Sequence, residues 1–331
     1  MSCTIKDIAR DTNLSLATIS KYLNGKRLSP LNQEKIAASI KKLGYIPNKA
    51  AQNLRSRKSD TICILLPQLS DPFWGDICNH IESYMQKNGY YTIIMSYDSR
   101  FHDQTKLYMH IASSQISGAI IIPHLMEHIN LLSLLQKGGI PFVFADQIVL
   151  DVLSDAVTST NYTSSYAAAK LLIQHGHKRL GVIGRTSNYT TRERVRGFSS
   201  ACKDFGIPPQ DQIIETSANE AADAAAIFTN MLTLSSPPTA IYILGYDLTI
   251  ASIQQLQELN IQIPNDLSLI SFDDDQIFSA FSPPITVVKQ NLSQIGLQAA
   301  QLLLKRISGD YSQFPEIIYV DTTFIERASV K

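Results

Sequence analysis

The sequence predicts an α/β protein in two parts, an N-terminal helix-turn-helix headpiece followed by a two-lobed core of doubly wound parallel sheets. Three observations predict it. The formal charge, zero overall, divides into net +8 over residues 1–60 and net −8 over the rest. The first sixty residues carry short helix-periodic runs with capping residues at their starts. From Thr61 onward, strand-like and helix-like runs alternate. A length of 331 residues exceeds two average domains, and a hydrophobic content of 44% supplies a sizeable core.

In the headpiece, Thr4 with Asp7 three residues on opens a helix to about Thr12, and Asn13 breaks it. Ser15 caps a second helix, about 16–23, closed by Asn24-Gly25. A third starts near Ser29-Pro30 with an apolar stripe of Ile36, Ala37, Ile40 and Leu43. Two short helices joined by a tight turn and buttressed by a third make a helix-turn-helix unit. Such a unit aims the first turn of its second helix at base edges. Ile8, Ala9, Leu14, Ile19 and Leu23 are then expected inside. Leu16, Ala17, Thr18, Ser20 and Lys21 are left facing outward, where small side chains allow close approach and Lys21 reaches an acceptor in the groove or on the backbone. A basic module on an acidic body is the electrostatic footprint of a nucleic-acid binder.

The run "TIKDIARDTNLSLATISKYLNGKRLSP…KKLGYIPNKAAQNLRSRKSDTI", with its ATIS, LNG and GYIPN segments, resembles the DNA-binding headpiece of the LacI/GalR family of bacterial repressors. The resemblance implies that Leu16, Ala17 and Lys21 are base-reading positions, and that Ser15, Ser20, Asn24 and Tyr45 contact the DNA backbone. It further implies that "NKAAQNLRS" (48–56) is a hinge helix that orders on operator DNA, with Ala51 in it and Leu54 wedging into the minor groove. Arg55 and Arg57 would follow the phosphates. Gln52 departs from the arginine frequent in the family.

In the core, "TICILLP", "YTIIMSY", "GAIIIP", "PFVFAD", "RLGVIG", "AIYILG" and "LSLISFD" read as strands, followed mostly by helix-like stretches such as 76–88, 163–175 and 192–205. "VTSTN" (157–161) and "VVKQN" (287–291) suit crossings between two lobes, which favours two lobes over one barrel. The core resembles the family's effector domain, itself similar to periplasmic sugar-binding proteins. The expected division is 1–47 headpiece, 48–60 hinge and linker, and 61–331 core, with an N-lobe at about 61–160 and 291–318 and a C-lobe at about 161–288 and 320–331.

Ligands of open α/β sheets bind at the carboxyl ends of strands. There "LSDPFWGD" offers Asp71 with Phe73 and Trp74, an acid beside aromatic faces that suits a sugar, although both rings also suit the core. "FADQ" offers Asp146 and Gln147, and Gln290 lies at a lobe crossing. The resemblance makes Arg194 and Asp273 effector contacts, and leaves Asp274 and Asp275 as turn and cap residues. Two departures alter the pocket: Gly245-Tyr246-Asp247 stands where many relatives have Asn-Asp, so Tyr246 replaces a sugar-binding amide, and Ala218 stands where some have an aromatic.

Other chemistries find little purchase. Cys3, Cys63, Cys78 and Cys202 lie far apart, as reduced thiols would, without a zinc or disulfide pattern. No phosphate loop, GxSxG, HExxH or post-strand GxGxxG is present. His175-Gly176-His177 sits at a helix-to-strand junction without metal-ligand company, and Asp273–Asp275 lacks calcium-loop spacing. The apolar runs are too short to span a bilayer. The expectation is therefore a cytoplasmic, nucleoid-associated, dimeric transcriptional regulator, without cofactor, metal or membrane partner and not an enzyme. It reads near-palindromic operator DNA at carbohydrate-utilisation genes and answers to a sugar or sugar derivative. The alternatives are control by a phosphocarrier protein, or a sugar-active enzyme with an appended DNA-binding head.

Overall fold

Thr4 opens the first helix by donating its backbone N–H (2.9 Å) and hydroxyl (2.7 Å) to the Asp7 carboxylate. In the computed structural model, which describes residues 3–23, 25–45, 59–97, 104–123, 129–185 and 188–331, this helix is α1 (Ile5–Thr12), ended by Asn13 in the left-handed region. α2 (Leu16–Leu23) starts where the Ser15 hydroxyl accepts from Thr18 N–H at 3.2 Å. α3 (Pro30–Leu43) places Pro30 at its first position and exits through Gly44 at φ +59. Each helix contributes one fully buried isoleucine, Ile8, Ile19 and Ile36, around which Ala9, Leu14, Tyr22, Leu23, Leu28, Ile40, Leu43 and Tyr45 pack. Ala37, expected in the stripe, is exposed, and Ser39 is buried in its place. The inward face is therefore 36, 39, 40 and 43, the i, i+3, i+4, i+7 set of an amphipathic helix, and Ala37 lies off it.

The chain divides into two units, Met1–Ser59 and Asp60–Lys331. The second holds two six-stranded sheets. One has the order β11-β5-β4-β3-β1-β2, built from β1 (Thr61–Leu66), β2 (Tyr91–Ser96), β3 (Gly118–Ile121), β4 (Phe142–Asp146), β5 (Asp155–Ser159) and β11 (Ile317–Val320), all parallel. The other has the order β12-β10-β9-β8-β6-β7, from β6 (Leu180–Arg185), β7 (Gln212–Ala218), β8 (Ala240–Ile243), β9 (Ser268–Phe272), β10 (Thr286–Lys289) and β12 (Thr323–Ile325). β12 alone among these is antiparallel to its neighbour.

α4 (Pro72–Lys87), α5 (Gln104–Ser113), α6 (Ile129–Lys137) and α13 (Leu292–Ile307) belong to the first sheet's lobe. α7 (Asn161–Gln174), α8 (Tyr189–Asp204), α9 (Ala221–Leu232), α10 (Tyr246–Ile253), α11 (Gln255–Glu258) and α12 (Gln276–Ala280) belong to the second. The chain passes between lobes at Thr160, at Gln290-Asn291 and at Asp321-Thr322. The last passage comes later than the expected 318–320, because β11 pairs with β5 through Val320.

Two helix contacts require glycine. A Cβ on Gly197 in α8 would stand 2.1 Å from the Tyr162 carbonyl oxygen of α7, and one on Gly296 in α13 2.8 Å from that of Ile77 in α4. A buried ion cluster ties the N-lobe together. Arg306 of α13 grips Asp155 at the start of β5 with two bonds (2.7 and 2.9 Å) and reaches Glu316 at 2.7 Å.

Sequence patterning overlooked β7, β11 and β12, and read the ends of β5 and β10 only as lobe crossings. β7 and β12 are sheet edges, and β7 mixes Glu215, Thr216 and Ser217 into its apolar run, so no continuous hydrophobic stretch marks it. The helices also start two to four residues earlier than expected, at 72, 161 and 189. Asp71 and Asn188 cap two of these ends, accepting from Phe73 N–H (2.9 Å) and Thr191 N–H (2.8 Å). Among the described residues no helix is long and apolar enough to cross a membrane.

Candidate functional sites

On the headpiece, burial of Ile19 sets the rotation of α2. Ser15, Leu16, Ala17 and Lys21 are exposed, with Leu16 at 45%, while Thr18 and Ser20 are half-buried. The Thr18 hydroxyl lies 2.8 Å from that of Ser15, so these two are held as a pair at the helix start. Tyr45 packs its ring on the isoleucine cluster. The face combines one cation, two small side chains and an exposed leucine, which permits close approach to a groove wall. Asn24, Ala51, Leu54 and Arg55 lie outside the described residues.

In the core, the carboxyl ends of both sheets meet at one cleft. Asp146 ends β4 and Asp273 follows β9, each the third strand of its sheet. Both residues are more than nine-tenths buried, and both adopt positive φ, 73° and 72°. That conformation is uncommon outside glycine and costs order 1–3 kcal/mol; it recurs where a side chain is held for function. Arg194 rises from α8, donating from Nε to Asn161 Oδ1 and from Nη1 to the Leu244 carbonyl, both at 2.8 Å. Its guanidinium lies 3.5 Å from the centroid of the Phe272 ring. Gln290 donates to Asp273 Oδ1 at 2.7 Å and accepts from the Ser159 hydroxyl, so one amide at a lobe crossing touches both sheets' ends.

Asp71 and Tyr246 join across the cleft, the phenol donating to Asp71 Oδ1 at 2.7 Å. The rings of Phe73 and Tyr246 are near-parallel, 19° apart in plane and 6.4 Å between centroids. Gln147 is buried and lines the same chamber. Trp74 does both things the sequence left open: it belongs to the N-lobe core beside Ile77, and one edge lines the cleft. The chamber encloses about 70 Å³, room for about two waters, and adjoins an open groove of about 620 Å³ that shares Phe73, Tyr246, Asp273 and Gln290.

Burial dominates the electrostatics. It pushes the Asp146 carboxyl up to about 7, against the pull of Arg194 and with added repulsion from Asp273 and Asp71. Burial likewise raises Asp273, opposed by Arg194 and the Gln290 hydrogen bond, and raises Asp71, opposed by its bonds from Tyr246 and Phe73. Asp146 Oδ1 is buried without a hydrogen-bond partner.

The sequence reading missed several lining groups. Arg185 at the end of β6 is ion-paired with Asp247, and Asn188, Thr190 and Thr191 at the start of α8 complete the wall. Arg185 carried a signal, a charge closing an apolar strand; Asp247, the acid in α10's first turn, carried none without its partner. The remaining candidates have structural duties. Asp274 pairs with Arg327 (2.9 Å), and Asp275 caps α12. His177 bridges Thr239 and Ser268, both at 2.9 Å. Ala218 is fully buried at the end of β7. Among the described residues no group of three or more His, Cys, Asp or Glu is placed to hold a metal ion.

A helix-turn-helix headpiece on a two-lobed core with a polar interlobe cleft defines the class of ligand-responsive DNA-binding regulators. Residues 4–48 match the family described as "Bacterial regulatory proteins, lacI family", and residues 169–330 match the periplasmic binding protein-like domain. The HTH-type transcriptional repressor PurR of Photobacterium profundum is 26% identical over 99% of this chain and 98% of its own. A LacI family regulator from Enterococcus faecium, solved with bound ribose, is 25% identical over 82% of this chain and 98% of its own, with a TM-score of 0.72. The Lac repressor dimer bound to operator and an anti-inducer has a TM-score of 0.86 at 20% identity, covering 99% of both chains. The chain belongs to the LacI family of bacterial regulatory proteins.

Proposed function

We propose that this regulator is a repressor that grips near-palindromic operator DNA as a homodimer, under the control of a sugar or sugar derivative held in the interlobe cleft. Its place is the cytoplasm, at the nucleoid, and its targets are carbohydrate-utilisation genes. The observation that carries the effector reading is the convergence of Asp71, Asp146, Arg194, Asp273 and Gln290, from both lobes and a crossing, on one chamber walled by Phe73, Trp74 and Tyr246. Carboxylates, a guanidinium and an amide match the paired donors and acceptors of sugar hydroxyls, while aromatic faces match C–H surfaces. The relative from Enterococcus faecium solved with bound ribose supports the same class.

Lys21, Leu16 and Ala17 read the groove, and Ser15, Thr18, Ser20, Asn24 and Tyr45 set the register on the backbone. Leu54 enters the minor groove, Ala51 contacts the DNA alongside it, and Arg55 follows the phosphates. Two exposed apolar surfaces support the dimer: edge strand β2 with Tyr91, Ile93 and Ile94, and a C-lobe groove formed by Ile250, Ile253, Leu256, Ile261, Ile277 and Phe281. A two-fold dimer demands a two-fold site. Occupying the cleft shifts the relative weight of core conformations, and the coupling is reciprocal, typically 1–3 kcal/mol.

Operator selected from a random pool and labelled for anisotropy tests the proposal. Binding should respond to one sugar of a panel, and Arg194→Ala and Asp273→Ala should each abolish the response while retaining DNA affinity. A normal response in both variants would place the effector elsewhere. Response to a phosphocarrier protein without any sugar would favour the alternative form of control.

A further inference from the structure

The charges around the inner chamber do not balance. Asp71, Asp146, Asp247 and Asp273 line it against Arg185 and Arg194. Arg185 is committed to Asp247. Arg194 spends two N–H groups on neutral acceptors, Asn161 Oδ1 and the Leu244 carbonyl, and its single charge is shared between Asp146 and Asp273. Asp71 receives hydrogen bonds from the Tyr246 hydroxyl and Phe73 N–H, both uncharged donors. The carboxylates also repel one another, Asp71 acting on both Asp146 and Asp273.

The imbalance is local to a chamber that already has an opening for a donor. Asp146 lines the cavity at 7% exposure, and its Oδ1 is buried without a hydrogen-bond partner. A hydroxyl supplies that hydrogen bond and leaves the surplus charge in place. An ammonium supplies both the bond and the compensating charge. A phosphate or carboxylate adds negative charge to a desolvated site in which four carboxylates already face two guanidiniums.

We infer that the effector is a cationic polyhydroxylated molecule, an amino sugar or aminated polyol, whose ammonium group lies between Asp71 and Asp146 while its hydroxyls meet Arg194, Asp273 and Gln290. This deepens the sugar reading of the cleft and rests on it. Selectivity then follows from charge: the amine is favoured over its isosteric hydroxyl parent, and phosphorylated or acidic sugars are rejected. A charge-assisted hydrogen bond in a buried site corresponds to about 10–100-fold in affinity over the neutral counterpart.

The test measures thermal stabilisation and calorimetric affinity of the full chain with glucose, galactose and mannose, their 2-amino counterparts and their 6-phosphates, alongside ribose and ribose 5-phosphate. One amino sugar should bind at least about tenfold more tightly than its parent. In Asp71→Asn, which retains the helix-capping oxygen, that ratio should fall toward one. A neutral or phosphorylated sugar that binds as tightly as its amino counterpart, or more so, overturns the charge inference and leaves the sugar reading standing. Absence of stabilisation by every sugar at millimolar concentration overturns the sugar reading itself, and this inference with it.

Discussion

Asp146→Asn isolates the electrostatic cost of the cleft. Burial lifts this carboxyl from an ordinary 3.8 to about 7. A shift of about 3 pH units corresponds to about 4 kcal/mol, as each unit is worth about 1.4 kcal/mol. Because folding raises the pKa, the folded chain binds this proton more tightly than the unfolded chain. Its contribution to stability is therefore full below about pH 4 and is lost as pH rises through about 7. The asparagine variant has no proton to lose. Relative to the native chain it should gain about 2–3 kcal/mol between pH 5 and pH 8, roughly 5 °C in melting temperature for a core of this size. Any fixed cost of the amide's own N–H groups cancels between the two pH values. Thermal and urea unfolding of both proteins at pH 5, 6, 7 and 8, at constant ionic strength, read the difference directly. Parallel pH profiles would refute the account, since they would mean that Asp146 is already ionised in the folded chain or still solvated.

Three further perturbations check other links. Lys21→Ala should weaken binding to a defined operator and lower the slope of log affinity against log salt by about 1; an unchanged slope would remove Lys21 from the interface. Gly197→Ala forces its Cβ against the Tyr162 carbonyl oxygen, so α7 and α8 must separate; a loss of about 1–3 kcal/mol by denaturant titration is expected, and an unmoved midpoint would contradict the close packing. Arg306→Ala strands the buried Asp155 carboxylate without its charge partner and should cost about 3–5 kcal/mol, with a loss under 1 kcal/mol showing that water reaches the site.

What could be read in the sequence was what local periodicity and capping encode. Most central strands announce themselves as short apolar runs, and Thr4, Ser15 and Ser29-Pro30 mark the headpiece helices. Asp146 could be singled out because the end of a predicted strand is a definite place, and Asp273, in a run of three acids after another strand, because the family resemblance picked it out. What escaped depends on residues distant in sequence. Arg185 meets Asp247 62 positions away, Arg306 meets Asp155 151 away, and Tyr246 meets Asp71 175 away. No periodicity connects such pairs; sheet order does. β7 escaped for a different reason, since an edge strand tolerates polar residues that blur its apolar signature. The Ala37/Ser39 exchange shows the limit of reading hydrophobicity residue by residue, because helical angle outweighed side-chain polarity.

The symmetry of the cleft explains why its ligand and its closure are one problem. Asp146 and Asp273 occupy equivalent strand ends in the two sheets, but the cation between them is not shared equally in structure. Arg194 is anchored wholly in the C-lobe, by Asn161 at the start of α7, by the end of β8 and by the Phe272 ring. Its attraction to Asp146 therefore acts between lobes, as does the hydrogen bond from Tyr246 to Asp71. The chamber of about 70 Å³ is smaller than a sugar ring, so a ring seated there displaces these links between the lobes. An effector must replace these links with its own donors and charge, and the lobe spacing it leaves behind is set by how completely it does so. Differential contact with the two spacings is the one quantity through which a small molecule can bias a distant DNA-binding equilibrium. Under the proposed effector reading, Arg194, Asp146, Asp71 and Tyr246 are thus the residues at which affinity and allosteric response cannot be altered separately.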